Sequence, residues 1–345
     1  MLKHSLVKTS LAFAVASFAA GASANIVTSI KPLGFIASSI ADGVTGTEVL
    51  VPAGASPHDY SLKPSDVAKL KKAELVLWIG KDVDSFLDDT LRPMPFKKVL
   101  TIADFNEIAP FLDHEDEDHD HDHDHEHAHK HEHHAHKHEH HDHDHDHDHE
   151  HHDHAHKHDH EHEHHGHDHH GHDHSTNWHV WYSAEISNAV AERLAKRLTE
   201  NYPEKTAKIA QNLAEFKQSL AAQQAKIKQK LAPVKEKGFY VFHDAYSYFN
   251  EAYDLNQVGY FTINPLVAPG AKTLQKIKGE IKEHKVNCLF AEPQFTPKVI
   301  DSLRKGTGVN VGQLDPMGEK VKLGKNSYAA FLQYTADSYF SCLRK

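Results

Sequence analysis

Two kinds of apolar pattern alternate along most of this 345-residue chain. Short, nearly continuous apolar runs at Ile26–Ile30, Glu48–Val51, Leu75–Ile79 and Lys98–Ile102 read as strands covered on both faces. Between them, Pro32–Ile40, Pro64–Lys72 and Val83–Leu91 carry the apolar spacing of helices. Pro64 stands where a helix tolerates proline, at its first position. The alternation returns in the second half. Strands are predicted at Phe239–Phe242, Gln257–Ile263, Val286–Ala291 and Val309–Leu314, and helices at Tyr246–Tyr253, Leu274–His284, Pro297–Lys305 and Tyr328–Leu343. Strand–helix order of this kind predicts α/β architecture, a parallel sheet flanked by helices, in each half.

The middle of the chain has a different pattern. Ser183 is placed to cap a helix that Pro203 interrupts, and a second helical stretch runs from Glu204 to Leu231 before Pro233. At ~1.5 Å per residue it spans roughly 40 Å, longer than a lobe of this size needs internally. Without a sustained heptad it reads as a rigid spine. The predicted organisation is an N-terminal lobe over 25–202, a linking helix over 203–232 and a C-terminal lobe over 233–345, with a cleft between the lobes.

Two segments fall outside this plan. At the start, Lys3 and Lys8 precede the apolar stretch Leu11–Ala20, and Ala22-Ser23-Ala24 offers a small-residue cleavage site. Residues 1–24 are therefore read as a signal peptide, and a periplasmic location is expected. The other segment, 113–174, is histidine alternating with acid and holds 32 of the 37 histidines. Its only apolar residues are Ala128, Ala135 and Ala155, too few to offset the entropy of ordering a chain. It is expected to be a disordered, low-affinity metal reservoir from His114 to His174, since imidazole and carboxylate both ligate divalent transition metals.

Charge follows this division. The tract carries 22 acids and three lysines, a net of −19 against −11 for the whole chain, which leaves the rest mildly basic. No lysine or arginine cluster resembles a nucleic-acid surface, and no nucleic-acid partner is expected. A monomer is expected. In an oxidising compartment Cys288 and Cys342 are most simply one disulfide, closing a loop of 54 residues and contributing ~4 kcal/mol. A zinc site using both thiolates is the rival reading, but it lacks the close cysteine spacing of such sites.

Five histidines lie outside the tract. His4 belongs to the leader, and His284 sits on a lysine-rich helix as a surface residue. The remaining three occupy positions where open parallel sheets gather ligands, beyond strand ends. His58 follows the Glu48–Val51 strand, His243 terminates the Phe239–Phe242 strand, and His179 lies in an aromatic segment before a helix. A metal held by all three would bridge the cleft. Glu292, Asp315, Asp244 and Asp59 stand close enough in sequence to supply a fourth ligand or to orient an imidazole. Asp315-Pro316 is equally a turn start. Three nitrogens with at most one oxygen suit tetrahedral Zn²⁺, whereas manganese draws more carboxylates and copper and nickel also accept imidazole.

The segments GASPHDYSLKPSDVAKL, NWHVWYSAE, FHDAYSYF, GYFTINPLVAPGAKTL, CLFAEPQFTP and QLDPMGEKVKLGKNSYAAFLQYTADSYFSCL, in that order, strongly resemble the zinc-binding component of bacterial zinc-uptake ABC transporters. That component belongs to the metal-binding cluster of solute-binding proteins. The likeness spans nearly the whole mature chain. It implies two lobes joined by one rigid helix, zinc held in the cleft by His58, His179 and His243, a Cys288–Cys342 disulfide, and delivery to an inner-membrane ABC permease. Some zinc relatives carry glutamate before the first histidine, where this chain has Pro57. The fourth position then falls to water or Asp315, with water favoured. The rivals to a zinc receptor are a periplasmic zinc buffer without a permease and, because an open zinc position can activate water, a zinc hydrolase.

Overall fold

The computed structural model describes residues 24–52, 54–113, 176–262, 265–294 and 298–345. Residues 1–23 of the leader and 114–175, which hold all of the tract but Asp113, lie outside the described residues, and so do the readings made of them.

In the first half β1 (Ala24–Thr28), α1 (Lys31–Ile40), β2 (Gly46–Val49), α2 (Pro64–Lys72), β3 (Leu75–Trp78), α3 (Asp88–Leu91) and β4 (Val99–Thr101) follow one another. Then come α4 (Ala184–Asn201) and α5 (Thr206–Leu231). The second half holds β5 (Phe239–His243), α6 (Ser247–Ala252), β6 (Gln257–Thr262), α7 (Ala271–Lys282), β7 (Cys288–Ala291), α8 (Lys298–Thr307), β8 (Asn310–Gln313) and α9 (Ser327–Leu343). Each half contains a four-stranded parallel sheet, ordered β2-β1-β3-β4 and β6-β5-β7-β8. The first strand of each half is central in its sheet, and the chain moves outward from it in both directions. This is the two-sheet α/β architecture that the alternating pattern predicts.

The differences are local and have causes. Val83–Leu91 is not one helix: the amides of Val83 and Asp84 turn back to the Gly80 carbonyl, and helical geometry begins only at Ser85. Asp84 is fully buried and spends its Oδ2 on the Ile79 N–H at 2.9 Å and the Ser29 hydroxyl at 2.7 Å. That carboxylate pins the ends of β1 and β3 together instead of lying on a helix face. The predicted Leu274–His284 helix ends at Lys282, and His284 takes a left-handed φ of 59° on the surface.

The long helix is present. Ser183 caps α4 by accepting the Ile186 N–H at 3.2 Å, Pro203 separates it from α5, and α5 runs 26 residues, about 39 Å. It has company in joining the halves. Helix α9 packs on α5, α1 and β8, and one buried cluster runs from Ile26, Phe35 and Leu77 through Tyr182 and Phe331 to Phe239, Phe290 and Tyr339. Cys288 in β7 is disulfide-bonded to Cys342 in α9, with Cα atoms 6.1 Å apart. Among the described residues no helix is long and apolar enough to cross a membrane.

Candidate metal centre

Each of the three histidines is delivered by a different local device. His58 sits in a 3-10 turn, Pro57–Asp59, after β2; Pro57 is buried, and Ser56 Oγ accepts the His58 N–H at 3.2 Å. His243 is the last residue of β5 and is only 3% exposed. His179 precedes a 3-10 turn, Val180–Tyr182, whose side chains are all buried. That turn is held from behind: Tyr328 OH donates to the Trp181 carbonyl at 2.8 Å, and the Tyr182 ring stacks on Phe331 at 5.2 Å. Trp181 meets the His179 ring edge-on at 5.2 Å.

Together they converge. One ring nitrogen from each of His58, His179 and His243 lies within 4.8 Å of the others, and among the described residues this is the group of such side chains with metal-holding geometry. Ring centroids are 5.1 to 5.8 Å apart. The nitrogens face a cavity of about 10 Å³ lined also by Pro57, Trp181, Glu292 and Met317. That is room for one water-sized sphere.

Hydrogen bonding fixes which nitrogen of two rings is available. His179 Nδ1 lies 2.7 Å from Asn177 Oδ1, and an amide oxygen can only accept, so Nδ1 carries the proton. His243 Nδ1 lies 2.7 Å from Glu292 Oε1 and likewise donates to it. Glu292 is buried and also accepts the Tyr246 hydroxyl at 3.1 Å. The two Nε2 atoms then face each other at 3.2 Å. Ligands at ~2.0–2.1 Å in a tetrahedral arrangement stand about 3.3 Å apart, so this spacing is that of two nitrogens on one zinc-sized ion.

The electrostatics run the same way. Burial, and then the neighbouring His243, push His58 from 6.5 down to about 4. Burial drives His179 well below the ordinary imidazole range, with His243 and His58 adding to it. Neutral imidazole is the ligating form, so the pocket holds these rings ready for a cation.

The carboxylates named from sequence take separate parts. Glu292 orients His243. Asp315 is buried with both oxygens committed: Oδ1 accepts the N–H groups of Met317 and Gly318 and the Gln294 amide, and Oδ2 accepts the Glu319 N–H at 2.6 Å. It builds the Asp315–Glu319 turn, the outcome that Asp-Pro allows. Asp244 accepts from Gln257 at 3.0 Å, and Asp59 is exposed. Sequence reasoning missed Asn177. The one available signal was the Asn-x-His spacing, because an asparagine oxygen can accept the N–H two residues on, as Asn177 Oδ1 does from His179 at 3.1 Å.

Comparison with known proteins identifies the family. A protein of Haemophilus influenzae named high-affinity zinc uptake system protein ZnuA is 63% identical over 344 residues, covering 100% of both chains. The protein of the same name from Haemophilus ducreyi is 53% identical, covering 97% of this chain and 98% of its own. A crystal structure of ZnuA superposes with a TM-score of 0.66 at 21% identity, over 92% of this chain and 98% of that one, which bears on the fold alone. The sequence profile of the ZnuA family, described as zinc-uptake complex component A periplasmic, matches residues 26–342, and this chain belongs to that family.

Proposed function

We propose that this protein is a periplasmic zinc receptor that captures Zn²⁺ through His58, His179 and His243 and hands it to an inner-membrane ABC permease. The observation that carries this reading is the pair of facing Nε2 atoms 3.2 Å apart, with the Nδ1 of each ring engaged by an oxygen on the opposite side. Membership of a zinc-uptake family and the names of its relatives support zinc as the cargo. Water fills the fourth position, because Asp315 is occupied by its turn and Pro57 offers no ligand. The cation sits where segments from both halves meet, so the N-terminal lobe, linking helix and C-terminal lobe act as a clamp. The protein works as a monomer and is a carrier, not an enzyme.

The test is zinc titration of the whole protein against a strong competing chelator, with X-ray absorption at one equivalent. The expected result is one tight site with three nitrogen scatterers near ~2.0 Å and one further light atom. His243→Ala should abolish that site and leave the weak binding of the tract. Tight binding that survives His243→Ala would sink the proposal. A strain lacking the gene should starve for zinc and recover when zinc is added. Sensitivity to excess zinc alone would indicate a buffer without a permease.

A further inference from the structure

Asn177 occupies a place that the zinc site alone does not require. It is 2% exposed and uses every polar atom it has. Its Nδ2 donates to the Asp244 carbonyl at 3.0 Å and to Ser247 Oγ at 3.1 Å. Its Oδ1 accepts both the His179 N–H at 3.1 Å and His179 Nδ1–H at 2.7 Å. Its backbone N–H donates to the Asp113 carbonyl at 2.9 Å, and its own carbonyl accepts the Tyr248 hydroxyl at 2.6 Å. The Tyr248 oxygen in turn accepts the Asp113 N–H at 2.9 Å.

The orientation of this amide has only one solution. A carbonyl oxygen such as that of Asp244 cannot donate, so the atom facing it is the NH₂ group. The other atom is then the oxygen, and the N–H of residue 179 facing it agrees. An amide oxygen offers His179 Nδ1 no proton, so the ring must protonate there and leave Nε2 bare. Residues 244 and 247, just beyond His243, thus dictate the tautomer of His179, which lies 64 positions before His243 in the chain.

We infer that Asn177 is a positioning residue that fixes His179 in its Nδ1-protonated tautomer and, by joining Asp113 to the loop after His243, ties the root of the histidine tract to the metal centre. The inference rests on the zinc-receptor reading above. It differs from a packing role in a definite way, because what matters is an acceptor at Oδ1.

The full-length protein tests this with Asn177→Leu, which keeps the branched shape and removes the acceptor, and Asn177→Asp, which keeps the acceptor. Two quantities are read at pH 7.5: zinc affinity against a chelator that strips the weak sites, and the ¹⁵N pattern of His179, assigned by its disappearance in His179→Ala. Asn177→Leu should weaken the tight site roughly 10- to 100-fold and give His179 a mixture of tautomers. Asn177→Asp should keep the Nδ1-protonated signature and recover most of the affinity. The proposal is overturned if Asn177→Leu leaves both readings unchanged. It is equally overturned if His179 in Asn177→Asp shows the same mixture of tautomers as in a folded Asn177→Leu, since the acceptor would then be irrelevant. Zinc bound as tightly by His179→Ala as by the natural chain would instead refute the site itself.

Discussion

Burial is usually a penalty for a polar side chain, yet at His58 and His179 it serves the proposed capture of zinc. An imidazole that resists protonation remains a ligand at acidities where a solvated one does not. His58 is pushed down to about 4 by burial and by His243, against roughly 6.5 for a free imidazole. The cleft should therefore retain its zinc at pH 5.5, while a fully solvated histidine of ordinary pKa is mostly protonated. Equilibrium dialysis of the whole protein at pH 7.5 and 5.5 should show stoichiometry falling towards one equivalent. Loss of the last equivalent in step with the others would contradict this. The same shift has a cost without metal. Between about 6.5 and 4 the unfolded chain binds protons that the folded site refuses, so stability of the metal-free protein should decline as pH falls through that window. At this scale the three converging histidines were legible because removing the tract and the leader left so few histidines on predicted strand ends. Asn177 was not, because its role depends on the Asp244 carbonyl and the Ser247 hydroxyl, partners that only the fold brings near.

Among the elements, the turn from Asp315 to Glu319 shows how a site wall is made from backbone. Asp315 gathers the N–H groups of residues 317, 318 and 319, and Met317 comes to line the cavity. Gly318 makes the turn possible: its φ is +62°, and a Cβ there would stand 2.7 Å from Phe331 and 2.8 Å from Phe35. Gly318→Ala should lose about 2–5 kcal/mol, from left-handed strain and overpacking together. Urea unfolding of the variant would measure it, and a loss below about 1 kcal/mol would mean that the aromatic pair yields easily. The strands and long helices were readable because apolar periodicity reports burial directly. The Val83–Leu91 helix was misjudged for the opposite reason. Its apolar spacing is real, but the buried Asp84 bonds to Ile79 and Ser29, a competition that no periodicity records.

For the molecule as a whole, the two sheets do not have wholly separate interiors. The buried cluster threading α1, α5 and α9 and the Cys288–Cys342 link attach the second sheet to the same framework as the first. The tract is attached differently. It leaves at Asp113 and returns at Asn177, where the Asn177 N–H meets the Asp113 carbonyl at 2.9 Å. Replacing residues 114–175 with a short glycine linker should therefore preserve the fold and one tight zinc site while lowering total zinc bound. Elemental analysis beside a melting curve would check it, and loss of the tight site would show that the tract does more than store metal. The meeting of Asp113 and Asn177 also bears on how such a protein can change over generations. An insertion that begins and ends at one closed point can lengthen or shorten with little penalty, since doubling a flexible loop costs only about 0.6 kcal/mol. On the proposed reservoir reading, storage capacity is free to drift with the metal supply of a habitat, while His58, His179 and His243 keep their positions.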